Sequence, residues 1–375
     1  MAVNTYKRTL ETGAASRCAV TILLFCLLLA LGSSCLGQQP PCTVAVVVQR
    51  FDLSSFPKEY LDKAVAWRQE SRGRSPAKPG LLNMGEWGYA TTDDWTVARD
   101  VPPEAFVVRE GRHIVRFQSV RMNFGPRRVV FVADDGKEVN APGRKIEATV
   151  ITGILSKARA GDSFALLTAR GPRVALRLGS RRETIEAAAE KLGAPAGGQS
   201  DGEGVLDALL EASTWLQPPR PGDSIFLVAM HLEGRNKTGV SRVRKALETG
   251  RIRLFGFQLG PKGSPGVGDV VARSFARSST SGEWTDGMFP LSRGTGGATA
   301  WENTEDHWYA LRETRLQRLA DIAGQMYNAI TGYYVLELSS VTPDLSIRLS
   351  PEFQKPLLVP MDVLYPRDLP PCKSK

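Results

Sequence analysis

A doubly wound α/β fold is what this sequence predicts, and three observations carry the prediction. From residue 127 onward, short apolar runs at 128–133, 163–168, 224–230 and 252–258 alternate with segments of helical period. The apolar runs are nearly continuous rather than alternating, as expected for parallel strands covered by helices on both faces. Val/Ile/Leu-rich stretches without helical period lie before and after this block, so β-rich extensions at both ends are expected.

The elements follow in order. Residues 43–49 are Val-rich and read as a strand, and 58–69 place Tyr60, Leu61, Ala64 and Trp67 at helical spacing. Residues 72–80, rich in Arg, Ser, Pro and Gly, read as a solvated loop. Two β-like runs, 105–108 and 113–120, are joined by Glu110-Gly111-Arg112 as a hairpin. The alternating block then gives helices over 144–158, 182–192, 204–215 and 241–248, with a further strand at 173–178. Residues 260–297 show no period and read as a long loop, with a short helix at 267–277. The longest helix places Leu311, Leu316, Leu319, Ile322, Ala323, Met326, Tyr327 and Ile330 on one face, which is a core stripe. Gly332 ends it, and 333–338, 345–349 and 357–363 read as strands. The resulting division is 1–37 signal peptide, 42–125 β-rich region, 126–331 α/β domain and 332–372 C-terminal β segment.

The first residues read as a secretory signal. Lys7, Arg8 and Arg17 precede an uncharged run over 19–31 that ends in Gly32-Ser33-Ser34-Cys35-Leu36-Gly37. About thirteen residues is short of the roughly 20 needed to span a bilayer, so no transmembrane helix is expected after cleavage. Secretion or a periplasmic location follows, with lipid attachment at Cys35 as the alternative. Cleavage after Gly37 removes three basic residues and one acidic, lowering the formal net charge from +9 to +7. The excess is spread out, which reads first as a solvated, moderately cationic surface, then as adhesion to anionic envelope polymers, and last as nucleic-acid binding.

Three of the five cysteines lie in or beside that segment, leaving Cys42 and Cys372, each preceded by Pro-Pro. In an oxidising compartment they read as one disulfide joining the termini, against two free thiols at frayed ends. Closing so long a loop stabilises by up to roughly 5 to 6 kcal/mol in the chain-entropy account.

Most catalytic and cofactor motifs are missing. His113, His231 and His307 have no metal-binding spacing, no Gly-x-Ser-x-Gly elbow is present, and the Gly-rich 260–268 lacks the Gly-Lys-Ser/Thr ending of a phosphate loop. The informative stretch is the end of the strand 128–133, which runs into Asp134-Asp135-Gly136-Lys137-Glu138. Ligands in open α/β sheets bind outside the carboxyl ends of strands. Asp134 and Asp135 fit paired general acid–base chemistry, or simply a cap on the next turn.

Short motifs give a family resemblance. Phe106-Val107-Val108-Arg109-Glu110-Gly111 resembles, one residue short, the "Phe-x-Val-x-Glu-x-Gly" lead-in of secreted bacterial proteins related to von Willebrand factor type A domains. Glu203-Gly204-Val205-Leu206-Asp207-Ala208-Leu209 is similar to their "Thr-x-Leu-x-Asp-Ala-Leu" helix start, and Thr295-Gly296-Gly297 to a "Thr-Gly-Gly" after the last core strand. The stretch 329–336 resembles a closing "Tyr-x-Leu" strand. The likeness runs from about Val101 towards the C-terminus, and its motifs are in order.

The resemblance implies a von Willebrand A-like, Rossmann-type domain that binds a protein or cell-envelope partner and is not an enzyme. It also implies a place for a metal-ion-dependent adhesion site, where Asp-x-Ser-x-Ser, a Thr and an Asp from three loops hold Mg²⁺ by oxygen ligands. Aligned on Asp134, the two serines become Gly136 and Glu138, the Thr becomes Glu203, and the Asp-Gly of the third loop becomes Glu233-Gly234. Loss of the metal site is therefore expected, so that Asp134, Asp135, Gly136, Glu138, Glu203 and Glu233 mark partner-binding loops and no cofactor is required. A remodelled acidic site for Ca²⁺, or a metal-assisted hydrolase using the same acids, is the alternative.

Overall fold

The computed structural model describes residues 42–51, 62, 95–136, 139, 141–169, 174–192, 204–229, 239–260, 288–303, 313–342, 344–357, 361–367, 369 and 371–373. Strands β1 (Cys42–Phe51), β2 (Trp95–Val97), β3 (Phe106–Glu110), β4 (His113–Val115) and β5 (Phe117–Asn123) come first. An α/β block follows: β6 (Arg128–Ala133), α1 (Ala141–Ser156), β7 (Ser163–Thr168), β8 (Ala175–Leu176), α2 (Arg182–Leu192), α3 (Val205–Trp215), β9 (Ser224–Ala229), α4 (Val240–Thr249), β10 (Arg253–Gly260), α5 (Met288–Gly294), β11 (Thr299–Asn303) and α6 (Glu313–Thr331). The chain ends with β12 (Tyr333–Leu338), β13 (Ser340–Val341), β14 (Leu345–Leu349), α7 (Pro351–Gln354), β15 (Asp362–Leu364) and β16 (Cys372–Lys373).

The α/β block forms one sheet in the order β11-β10-β9-β6-β7-β8, parallel except for the antiparallel edge strand β8. Successive residues of β6 face opposite layers. Val129, Phe131 and Ala133 pack with α1, α2 and α6, while Val130 and Val132 pack with α3, α4 and α5. A strand buried on both faces has no solvent side to mark with polar residues, hence its continuous apolar sequence. Helices α1 and α6 cross closely at Gly153, where a β-carbon would lie 2.9 Å from the Ala320 Cα. Any larger side chain there would push the helices apart.

The two β-rich ends come together in space. Strand β1 pairs with β12, β15 and β2, and β12 pairs with β5, all antiparallel. Alternation along β1 points Val44, Val46 and Val48 towards a second sheet, β14-β3-β4, whereas Val47 joins the core that contains α6. Burial on both sides of β1 locks its register, because a one-residue slip would exchange the two faces. Cys42 and Cys372 form a disulfide with Cα atoms 6.0 Å apart across 330 residues, as expected from the sequence.

Buried arginines tie this antiparallel layer to the α/β sheet. Arg127, just before β6, and Arg253, at the start of β10, are each 2% exposed. Arg253 donates to the carbonyls of Ala329 (3.1 Å) and Ile330 (2.7 Å), and Arg127 donates to Ile330 (3.3 Å), Thr331 (3.3 Å) and Asn123 (2.8 Å). These include the orphan carbonyls at the end of α6, where cations are also favoured by the helix dipole. Both guanidiniums stack on Tyr333, at 4.7 Å for Arg127 and 4.2 Å for Arg253. Burial pulls the Arg253 guanidinium down to about 10 and lowers Arg127 too, leaving Arg253 charged at neutral pH.

Several expectations need correction. The stretch 260–297 is not one continuous loop, because Met288–Gly294 is helical and buries Met288 and Leu291. With only two apolar anchors, the helix is too short to display a period. The strand expected over 173–178 narrows to Ala175–Leu176, and in the region expected to hold a strand over 357–363 the chain forms β15 at Asp362–Leu364 after the short helix α7. Thr295-Gly296-Gly297 precedes β11 rather than following the last core strand. Its role is structural: the Leu254 N–H donates to Thr295 Oγ1 at 2.9 Å, and a β-carbon on Gly297 would fall 1.8 Å from the Leu254 carbonyl oxygen. The signal segment, Cys35 and the helix expected over 267–277 lie outside the described residues. Of the helix expected over 58–69, the described residues contain Asp62, which is helical.

Candidate functional site

Strand order reverses between β6 and β9: from β6 the chain builds outward through β7 and β8, then returns to lay β9 on the other side. Doubly wound sheets take ligands outside the carboxyl ends of the two strands at such a switch point. Asp134 and Asp135 follow β6 directly at this point, and both are buried. The Asp134 N–H donates to the Val228 carbonyl at 2.9 Å, which extends the β6–β9 ladder by one step. The Gly136 N–H donates to Asp134 Oδ1 at 3.3 Å and turns the chain away from the sheet.

A third acid, Glu147, had no place in the sequence reading. It sits on α1, fully buried, within the stripe formed by Ile146, Val150, Ile151 and Ile154. Among the described residues, neither of its carboxylate oxygens has a hydrogen-bond partner, and the same is true of Asp135 Oδ1. Burial, then the charges of Asp134 and Asp135, push Glu147 well above the ordinary carboxyl value, and the nearby Asp134 backbone N–H offsets only part of this. Asp135 is pushed up to about 6 by burial, against the pull of the Arg144 guanidinium and with a further push from Asp134. Arg144 also donates to the Val139 carbonyl at 2.5 Å, which fixes it over the start of α1. A glutamate interrupting an apolar helical stripe was the available signal for this residue.

Asp134, Asp135 and Gly136 lie together at this strand end, and Glu147 lies beside them. Glu138, Glu203 and Glu233, and likewise His231 and His307, lie outside the described residues. His113 is exposed in β4, on a different sheet. Orphaned carboxylate oxygens would suit a cation, but Gly136 supplies no side-chain oxygen, and among the described residues no group of three His, Cys, Asp or Glu side chains has the arrangement to hold a metal ion. Protonation relieves a buried carboxyl cluster at lower cost than leaving every member ionised.

The sheet order, with one antiparallel edge strand and helices on both faces, decides the fold. The α/β domain is doubly wound, as the sequence resemblance to von Willebrand A domains implies. No protein-family profile matches the chain, and no curated protein matches it. Solved structures resembling it include BatB of Bacteroides thetaiotaomicron, titled a conserved hypothetical protein, at 11% identity over 54% of this chain and 98% of that one, with a TM-score of 0.35. A von Willebrand factor type A structure from Catenulispora acidiphila matches at 11% identity over 58% and 52% of the two chains, with a TM-score of 0.36. The SpRpn10 VWA domain matches at 12% identity over 54% and 98%, with a TM-score of 0.33. The strand order, rather than these distant likenesses, carries the reading of the A-like domain.

Proposed function

We propose that this is an exported, non-enzymatic interaction protein whose A-like domain binds a protein or cell-envelope partner at the carboxyl ends of β6 and β9, without the Mg²⁺ of the adhesion site. One observation carries the reading: the buried acids Asp134, Asp135 and Glu147 gather at the switch point, yet Gly136 stands where a hydroxyl ligand belongs. Export is supported by the basic-then-apolar N-terminus and by the disulfide between Cys42 and Cys372. No helix among the described residues is long and apolar enough to cross a membrane. The raised basicity of two carboxyls would suit acid–base chemistry, but Glu147 is sealed from solvent and so from any substrate.

The test is a pull-down of the mature protein from its native envelope, run with wild type and Asp135→Ala, beside calorimetric titration with Mg²⁺, Ca²⁺ and Mn²⁺. The expected result is a partner retained by wild type and lost by the variant, with no cation binding. Tight cation binding that Asp134→Ala abolishes would replace this reading with a metal-dependent one, and undiminished partner recovery by Asp135→Ala would remove the site.

A further inference from the structure

The sheet β14-β3-β4 lies on the far side of β1 from the A-like domain. Its inner face is apolar, with Phe106, Val108, Leu345, Ile347 and Leu349 buried against β1 and β12. Register places Arg109 opposite both Ser346 and Ile114, and Arg348 opposite Val107, so these residues share the other face. Arg109 and Arg348 are exposed there, and so are Arg112 in the hairpin turn and Arg116 just after β4. None of these four arginines forms an ion pair among the described residues. Two acids lie near: Glu110, whose Oε1 accepts from Ser340 Oγ at 3.2 Å, and Asp344, exposed beside the turn, whose carbonyl accepts the Gly111 N–H at 3.4 Å.

Among the described residues strand β4 is an edge: it pairs with β3 alone, and Ile114 at its centre is 69% exposed. An uncovered edge carrying an exposed β-branched residue is a template for another strand. Arg112 and Arg116 bracket Ile114 at two-residue spacing, which is the repeat of one face of a strand. A second copy of this chain suits the edge poorly, since β4 against β4 would set arginine beside arginine. A strand with acidic residues at every second position suits it well: its carboxylates would fall at the same repeat as the guanidiniums, whose planar fork binds carboxylate through two hydrogen bonds.

We propose that the β4 edge takes up an extended acidic segment of a partner protein as a fourth strand, held by backbone pairing along 113–115 and by Arg112, Arg116 and Arg109. This surface is separate from the acidic strand end at Asp134, and its success or failure leaves that reading untouched.

The experiment uses the full chain with its disulfide intact and a fluorescein-labelled peptide in which Glu alternates with Val and Thr. Binding is measured by anisotropy, beside the same peptide with Lys for Glu and one N-methylated at every second backbone amide. Saturable binding of the acidic peptide is expected, weakened at least tenfold by Ile114→Pro, by Arg112→Glu with Arg116→Glu, and by N-methylation, with none of the Lys peptide. Because the arginine variants leave the backbone unchanged, they read the surface even if Ile114→Pro disturbs the fold. Three results would overturn the proposal: no binding of the acidic peptide; binding indifferent to N-methylation and to Ile114→Pro, which describes a general polyanion surface; or a concentration-dependent dimer that Ile114→Pro abolishes, which makes a second copy the occupant.

Discussion

The two ends of β6 each bury a cluster of like charge, and the protein deals with them in opposite ways. At the N-terminal end Arg127 and Arg253 donate to the last carbonyls of α6 and to the Asn123 carbonyl, with the Tyr333 ring between them, and Arg253 Nε has no hydrogen-bond partner among the described residues. At the C-terminal end Glu147 and one oxygen of Asp135 have no hydrogen-bond partner among the described residues. The chemistry of the groups explains the contrast. A guanidinium keeps its proton at any ordinary pH, so burying it requires partners, whereas a carboxyl can take a proton and become neutral. The basic end is therefore a joint between layers. The acidic end holds an unfavourable charge arrangement of the kind that gathers at functional sites.

If the basic end is a joint, breaking it should have the largest effect. Arg253→Ala removes donors to two buried carbonyls and one of the two cations on Tyr333, and is expected to destabilise by about 3 to 5 kcal/mol. Denaturant midpoints at constant m-value measure this, and a shift under 1 kcal/mol would mean that the α6 terminus is held by other contacts.

At the acidic end the sign reverses, and substitution should stabilise. The folded state binds the Glu147 proton more tightly than the unfolded chain does, so wild-type stability falls as pH rises above the ordinary carboxyl value. Glu147→Gln removes that loss. We expect the variant to gain progressively on wild type as pH rises from about 4 to about 7.5, read from paired unfolding curves. A difference independent of pH would show that Glu147 does not titrate anomalously.

Asp135→Asn should do the same on a smaller scale and in a narrower window. The folded-state value is about 6 against an ordinary 3.8, so wild type loses stability between those two pH values and no further above them. The expected difference is at most about 3 kcal/mol, complete by about pH 7. A difference still growing at pH 8 would assign the shift to another carboxyl.

The smallest effect is expected at an exposed pair. Arg50 contacts both oxygens of Asp100, at 2.7 and 2.8 Å, yet side-chain exposures of 42% and 65% leave the pair in water. Asp100→Asn should cost under about 1 kcal/mol and lose even that in 1 M salt. A larger cost would show that charge matters as much at the surface as it does around Tyr333.

Burial explains which parts of this were legible. The runs at Arg128–Ala133, Ser163–Thr168 and Ser224–Ala229 were plain because a strand between two helical layers must be apolar throughout. The stripe from Leu316 to Ile330 was plain because α6 is long enough to repeat. Helix α5 has too few turns to show a period, β11 was hidden because its pairing partner lies far away in sequence, and β15 overlaps only the end of the run expected over 357–363. At the site, Asp134 and Asp135 were marked by adjacency to a strand. Glu147 was not, because its twelve- and thirteen-residue separation from them closes only when α1 folds back over β6.

The sequence by itself determined the alternating α/β plan, the switch to β structure at both ends, the pairing of Cys42 with Cys372 and the acidic end of β6, all of them local patterns or simple counting. Tertiary structure alone decided that β1 completes a sheet with β12, that Arg127 and Arg253 meet around Tyr333, that Glu147 joins the aspartates, and that β4 is left as an arginine-flanked edge. These depend on which distant segments share a surface. Side-chain periodicity states which face of an element is apolar, and only packing selects what that face meets.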